Sequence, residues 1–164
     1  MQNITYKMST YDDIGEITAL LRMCFGDLAI NEGALKRIDG EYLVARDSTG
    51  HIVAITGIVA DENYDLPVIT FTCVKPKMQN LHIMDDMFTY LLKEWDKHHG
   101  GPIVLTCWNT GDGARLRNIA SRHGFVIVSK AFITRRKTIT KSCHNCIYSN
   151  KTDCSCCDDL YVRF

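Results

Sequence analysis

"TCVKPKMQNLHIM", residues 72–84, joins the two most legible elements of the chain, and its reading decides the fold. Upstream, "LPVITFTCV" (66–74) is a nearly continuous apolar run, the pattern of a central strand buried on both faces. Downstream, "HIMDDMFTYLLKEWDKHHGG" (82–101) repeats apolar residues at helical spacing. Met84, Met87, Phe88, Leu91 and Trp95 fall on one face of that helix, and Gly100 and Gly101 stop it. The stretch therefore predicts a buried strand feeding, through a short turn, into the N-terminus of a helix that crosses to the next strand.

Working outward, "ITYKM" (4–8) alternates and predicts a short first strand. "STYDDIGEITALLRMCF" (9–25) predicts a helix, with Ser9 or Thr10 as its cap and Asp12 and Asp13 at its positive end. Ile14, Ile17, Leu21 and Cys24 form its apolar stripe. "NEGALKRI" (31–38) reads as a second, shorter helix. "EYLVARDSTGHIVAITGIVA" (41–60) holds two β-branched runs about a Ser-Thr-Gly turn, a hairpin. After the central helix, "PIVLTCW" (102–108) is another buried strand and "DGARLRNIASRH" (112–123) a helix ended by Gly124. "FVIVSKAFITRRKTI" (125–139) and "DLYVRF" (159–164) are strands. The order β-α-α-β-β-β-α-β-α-β-β defines a mixed α/β sheet, and 164 residues suit a single domain over 1–164.

Nineteen basic residues balance nineteen acidic ones, so no global field draws the chain to nucleic acid or to an anionic membrane, and neither partner is expected. No apolar run approaches the roughly 20 residues needed to cross a bilayer. The N-terminal "MQNITYKMSTYDD" lacks the basic-then-apolar order of a signal peptide, which predicts a cytoplasmic protein.

With "TCVKPKMQNLHIM" after its fourth strand and "RHGF" after its last helix, the chain resembles the GCN5-related N-acetyltransferase (GNAT) superfamily over nearly its whole length. The family pattern is Val-x-Pro, two residues, Gln or Arg, two residues, Gly, one residue, then Gly or Ala. Val74, Pro76 and Gln79 match it, while His82 and Met84 fill the two small-residue positions. An Asn after the fifth strand and a helix ending in Gly-Phe complete the resemblance, here Asn109 and Gly124-Phe125. The resemblance implies an acyl-CoA N-acyltransferase-like sheet that splays between strands 67–74 and 102–108. It also implies acetyl-CoA as cofactor and an amine, on a small molecule or a protein, as acceptor. Thr72, Cys73 and Val74 would face the pantetheine arm, and the amides of Gln79, Asn80, Leu81, His82, Ile83 and Met84 the pyrophosphate, at a helix N-terminus whose dipole attracts anions. Glycines would let the phosphate come close, whereas His82 and Met84 bring side chains to that point. A protonated His82 would add charge; otherwise it caps the helix.

The Tyr that often protonates the leaving thiolate in the family is replaced by Ala120. Attack by an amine still needs a base, and Glu41, Asp61, Glu62 and His82 are candidates by strand-end position, with no catalytic residue assigned. The lost glycines and the missing Tyr also fit a non-catalytic GNAT-like protein that docks on an assembly partner. "CWNTGDGARLRNIASRHGF" (107–125) is similar to such a reduced domain in an internal virion protein of short-tailed phages as much as to active enzymes of the family. His98 and His99 suit a helix C-terminus, Arg135, Arg136 and Lys137 a solvated edge strand, and Cys24 and Cys107 the core.

Five of the eight cysteines fall in "SCHNCIYSNKTDCSCC" (142–157), a Cys-rich insertion (142–158) at the tip of the C-terminal hairpin. The spacing Cys143-x2-Cys146-x7-Cys154-x-Cys156-Cys157 places enough thiolates for a closed tetrahedral zinc site, with His144 as a further ligand. Free thiols and disulfides are the alternatives, the latter disfavoured in a reducing compartment.

Overall fold

The computed structural model describes residues 3–25, 42–60, 66–108, 113–129 and 158–164. Among them run β1 (Thr5–Met8), α1 (Ile14–Phe25), β2 (Tyr42–Arg46), β3 (Ile52–Ala60) and β4 (Pro67–Val74). These are followed by α2 (Ile83–His98), β5 (Ile103–Trp108), α3 (Gly113–Arg122), β6 (Val126–Ser129) and β7 (Asp158–Arg163). The strands belong to one mixed seven-stranded sheet in the order β1-β2-β3-β4-β5-β7-β6. The order expected from the sequence is found in every described element. The helix expected at 31–38, most of the strand expected at 125–139 and the Cys-rich segment lie outside the described residues. No helix among the described residues is long and apolar enough to cross a membrane.

The chain forms two compact units, residues 1–59 with 70–99, and residues 60–69 with 100–164. In the first, β1, β2 and β3 pair antiparallel, with Tyr6 opposite Ala45 and Val44 opposite Ile55. Strand alternation puts Tyr42 and Val44 on one face, where they pack with Ile52, Ile55 and Cys73 against Ile17, Leu20 and Leu21 of α1. Leu43 and Ala45, on the other face, are fully buried as well, and α2 packs on β2. The expected stripe of α1 is present and broader than expected: Leu20 joins Ile17 and Leu21 in the core, and Ile14 and Cys24 pack at its margin.

The β2–β3 turn is built on Asp47, whose carboxylate accepts from the Thr49 amide (2.9 Å), the Thr49 hydroxyl (2.6 Å) and the His51 amide (3.1 Å). Gly50 sits at φ 87°, a left-handed conformation that costs glycine nothing. An ion cluster ties this turn to the start of α1. A 3-10 turn, Tyr11–Asp13, precedes the helix, and the Asp13 carboxylate reaches back to the Thr10 amide at 3.0 Å. Arg46 pairs with Asp13, lies 3.4 Å from Glu16 and donates to the Gly50 carbonyl at 2.7 Å. Glu16 also accepts from the Ile52 amide at 3.0 Å and lies 2.8 Å from His51 Nδ1.

In the second unit the first half of β4 runs parallel to β5 over two residue pairs, Val68 with Val104 and Ile69 with Leu105. The C-terminal β7 inserts antiparallel between β5 and β6, so that Val162 lies opposite both Val104 and Val126. Val68, Val104 and Val162 form a small core flanked by Leu66 and Leu160. Beside it α3 packs on β5 and ends at Gly124 (φ 81°), and the buried Phe125 donates its amide to the Ala120 carbonyl at 3.0 Å.

The expectation that β4 is buried on both faces throughout holds only in part. Val68, Ile69 and Cys73 are buried, while Thr70, Phe71, Thr72 and Val74 are half-buried. The reason is local: Phe71 takes φ 51°, which breaks the regular alternation of the strand.

Candidate functional site

The site implied by the sequence lies within the first unit, where β4 ends and α2 begins. Thr72 shares a hydrogen bond with Thr56 of β3 through their hydroxyls at 2.9 Å, and the Lys75 amide donates to the Val53 carbonyl at 2.7 Å. These contacts fix β4 against β3. Upstream, the Phe71 ring packs against Tyr42 at 5.7 Å between centroids, anchoring the irregular residue in the core.

Beyond β4 the chain makes a 3-10 turn at Pro76–Met78, with the Met78 amide 2.8 Å from the Lys75 carbonyl. Pro76 suits the first position of such a turn because its φ is already set. The Gln79 side-chain amide donates back to the Val74 carbonyl at 3.5 Å. Two left-handed residues follow, Asn80 at φ 70° and His82 at φ 58°. His82 stands where the family pattern has its first glycine, and its backbone takes a conformation that glycine adopts without strain.

His82 occupies the N-cap position of α2, yet its side chain makes no capping hydrogen bond. The expected capping role is not realised: the imidazole faces the Asp85 carboxylate rather than a first-turn amide. The ring is 84% exposed and lies 3.7 Å from the Asp85 carboxylate. Met84 also departs from expectation. It is 6% exposed and buried with Ile83, Met87 and Phe88, because it falls on the core face of α2. Its side chain therefore does not obstruct the turn; only its backbone remains available there. Leu81, 50% exposed, is the apolar residue at the tip.

The first amides of any helix lack intrahelical acceptors and carry partial positive charge. In α2 that charge is already partly answered by Asp85 and Asp86 in the first turn. Asp86 accepts a hydrogen bond from the Tyr6 phenol of β1 at 3.0 Å. Burial, then the bond and charge of Asp86, push the Tyr6 pKa up to about 12, so the phenol stays protonated and holds the carboxylate. Lys75 and Lys77 bring positive charge to the turn itself.

Asn109, Glu41, Asp61 and Glu62 lie outside the described residues, as do Cys143, Cys146, Cys154, Cys156 and Cys157. Ala120 is fully buried in α3. Among the described residues, no three His, Cys, Asp or Glu side chains are grouped to hold a metal ion. Three features escaped the sequence: the left-handed pair Asn80 and His82, the Tyr6–Asp86 bond spanning 80 residues, and the contact of the Cys24 thiol with the Val74 carbonyl beside Cys73. None has a local signal, since each depends on backbone angles or on chain pairing.

No family model and no curated protein matches the sequence. Solved structures do match. A GNAT-family acetyltransferase from Staphylococcus aureus Mu50 superposes with a TM-score of 0.66 at 15% identity, over 98% of each chain. A putative GNAT-family acetyltransferase from Bordetella pertussis gives 0.72 at 12% identity, over 98% of this chain and 95% of that one. Diaminobutyrate acetyltransferase from Paenibacillus lautus, solved with 2,4-diaminobutyric acid and coenzyme A, gives 0.71 at 14% identity, over 99% and 95%. The chain has the mixed α/β fold of the GNAT superfamily, the acyl-CoA N-acyltransferase fold.

Proposed function

We propose that the chain is an acetyl-CoA-dependent N-acetyltransferase acting on a small amine. The observation that carries this reading is the turn at 79–84, which takes a glycine-like left-handed conformation at His82 as it enters a 16-residue helix. Backbone amides of Gln79 to Met84 would hold the pyrophosphate, and Thr72, Cys73 and Val74 the pantetheine arm. Acetyl-CoA, when bound, supplies an activated acetyl thioester. The chain's part is to position it and to exclude water, and the acceptor amine attacks directly. That the diaminobutyrate acetyltransferase was solved with an amino acid amine and coenzyme A supports a small-molecule acceptor. A second reading, a non-catalytic GNAT-like protein that serves in an assembly such as a virion, is favoured by the acidic first turn of α2 and by Ala120.

Ligand-induced stabilisation separates the two. A ligand at a hundredfold excess over its Kd adds about 2.7 kcal/mol to stability. A rise in Tm of several degrees is expected with millimolar acetyl-CoA. His82→Gly removes a left-handed side chain at about 1 kcal/mol, raising Tm by about 2–4 °C without ligand, and is expected to keep the response. No shift in either protein would leave only the assembly reading.

We also propose, on spacing alone, that Cys143, Cys146 and Cys154 with Cys156 or Cys157 bind one structural zinc. Protein purified without chelator should contain one zinc per chain, lost in Cys143→Ser. A metal-free protein would rule the site out.

A further inference from the structure

We propose that Cys24 and Cys73 form a redox-active thiol pair, which a hydroperoxide closes to a disulfide tying the last turn of α1 to β4. Cys24 is the penultimate residue of α1 and is half-buried, whereas Cys73 is 7% exposed. The Cys24 thiol donates to the Val74 carbonyl at 3.7 Å, next in sequence to Cys73, and its side chain packs against the core cluster that holds the Cys73 side chain. The pair therefore has one member that solvent reaches and one that it does not.

The asymmetry sets the order of events. The hydrogen bond from Cys73 favours the Cys24 thiolate and lowers its pKa, although burial opposes this. The same bond, then burial, push the Cys73 thiol up. Thiolate character and access together select the thiol that an oxidant attacks. Cys24 sulfur takes an oxygen from the hydroperoxide, whose O–O bond breaks to release an alcohol, or water if the oxidant is hydrogen peroxide. The Cys73 sulfur then attacks the Cys24 sulfenic acid, the S–S bond forms and the oxygen leaves as water. Two thiols lose two electrons in all, and the hydroperoxide gains them. The raised Cys73 pKa slows this second step, and the nearness of Cys73 in the same core cluster offsets it.

This is separate from the acetyltransferase reading, which uses the backbone of 72–74, since the side chain of Cys73 packs among the α1-facing core.

Tryptic mapping tests it on the full chain. Cleavage puts Cys24 in residues 23–36, Cys73 in 47–77, Cys107 in 98–115 and the terminal cluster in 142–151 and 152–163, so a link between any two of these peptides has its own mass. The reduced protein is treated with hydrogen peroxide, its remaining thiols are alkylated in denaturant, and it is then digested. The expected product joins 23–36 to 47–77, two hydrogens lighter than the separate peptides, and disappears with dithiothreitol. In Cys73→Ser, Cys24 should accumulate as a sulfenic acid captured by dimedone. The proposal falls if Cys24 in the unaltered chain is oxidised to sulfinic acid, or linked to 142–163, while Cys73 alkylates as a free thiol. Mapping of the unaltered chain decides alone if Cys73→Ser does not fold.

Discussion

Met84→Ala, which restores the small residue of the family motif, is expected to destabilise the protein by about 2–5 kcal/mol. The motif alone predicts the opposite, since a smaller residue at that position would relieve a crowded phosphate turn. The structure places the Met84 side chain on the core face of α2 at 6% exposure, beside Ile83, Met87 and Phe88. Removing it deletes buried methylene groups and leaves a cavity that a packed helix fills only in part. Chemical denaturation reads the loss as a lower midpoint at an unchanged slope. A change within about 0.5 kcal/mol, the range of ordinary surface substitutions, would mean that Met84 faces solvent and would return it to the turn.

Arg46→Ala carries the other large effect, about 3 kcal/mol, at the lower end of what removing one partner of a buried ion pair costs. The Arg46 side chain is 16% exposed and Asp13 8%, so little solvent screens the pair. Without the guanidinium, Asp13 keeps the Thr10 amide but loses its counter-charge, and the β2–β3 turn loses its tie to α1. Arg46→Lys should recover only part of the loss, because one ammonium cannot reach Asp13, Glu16 and the Gly50 carbonyl at once.

A pH signature distinguishes this from simple loss of packing. Burial pushes the Asp13 carboxyl up, but the Thr10 amide and the Arg46 guanidinium outweigh it and hold its pKa below the usual value. Glu16 is lowered by its hydrogen bond with His51 and then by the Ile52 amide. A depressed carboxylate contributes stability that is complete above the unfolded value, about 4, and is lost as pH falls through the folded one. Acidification below about pH 5 should therefore erode the parent protein more steeply than Arg46→Ala, and the two stability curves should converge at low pH. Parallel curves would show that Arg46 acts through packing alone.

Periodicity in the sequence carried most of the fold. The β2–β3 hairpin and α2 were legible because both repeat apolar residues over many positions, and an error at one residue does not break either pattern. Phe71 shows where that method ends. It is an ordinary apolar residue in an apolar run, and nothing in its identity reveals that its φ is 51° or that β4 opens to solvent around it. His82 and Met84 fail in opposite ways. Both were read as side chains intruding on a phosphate turn, yet one points to solvent and the other to the core. The difference depends on the register at which α2 starts, which composition does not fix. Arg46 and Asp13 are 33 residues apart, and their pairing follows only once α1 is docked on the sheet.

The insertion of β7 between β5 and β6 bears on how the chain matures as it leaves the ribosome. Ile103 of β5 finds its partner only when Arg163 has been synthesised, and Val126 of β6 only when Val162 has. Until then the nascent chain carries two bare strand edges facing a gap that nothing else in the described second unit fills. Such edges are templates for pairing with other chains. Pairings this distant in sequence also form late, after the entropy of closing a long loop has been overcome. The strand β7 is thus the one that removes an aggregation hazard, and the second unit is sealed only after it has been made.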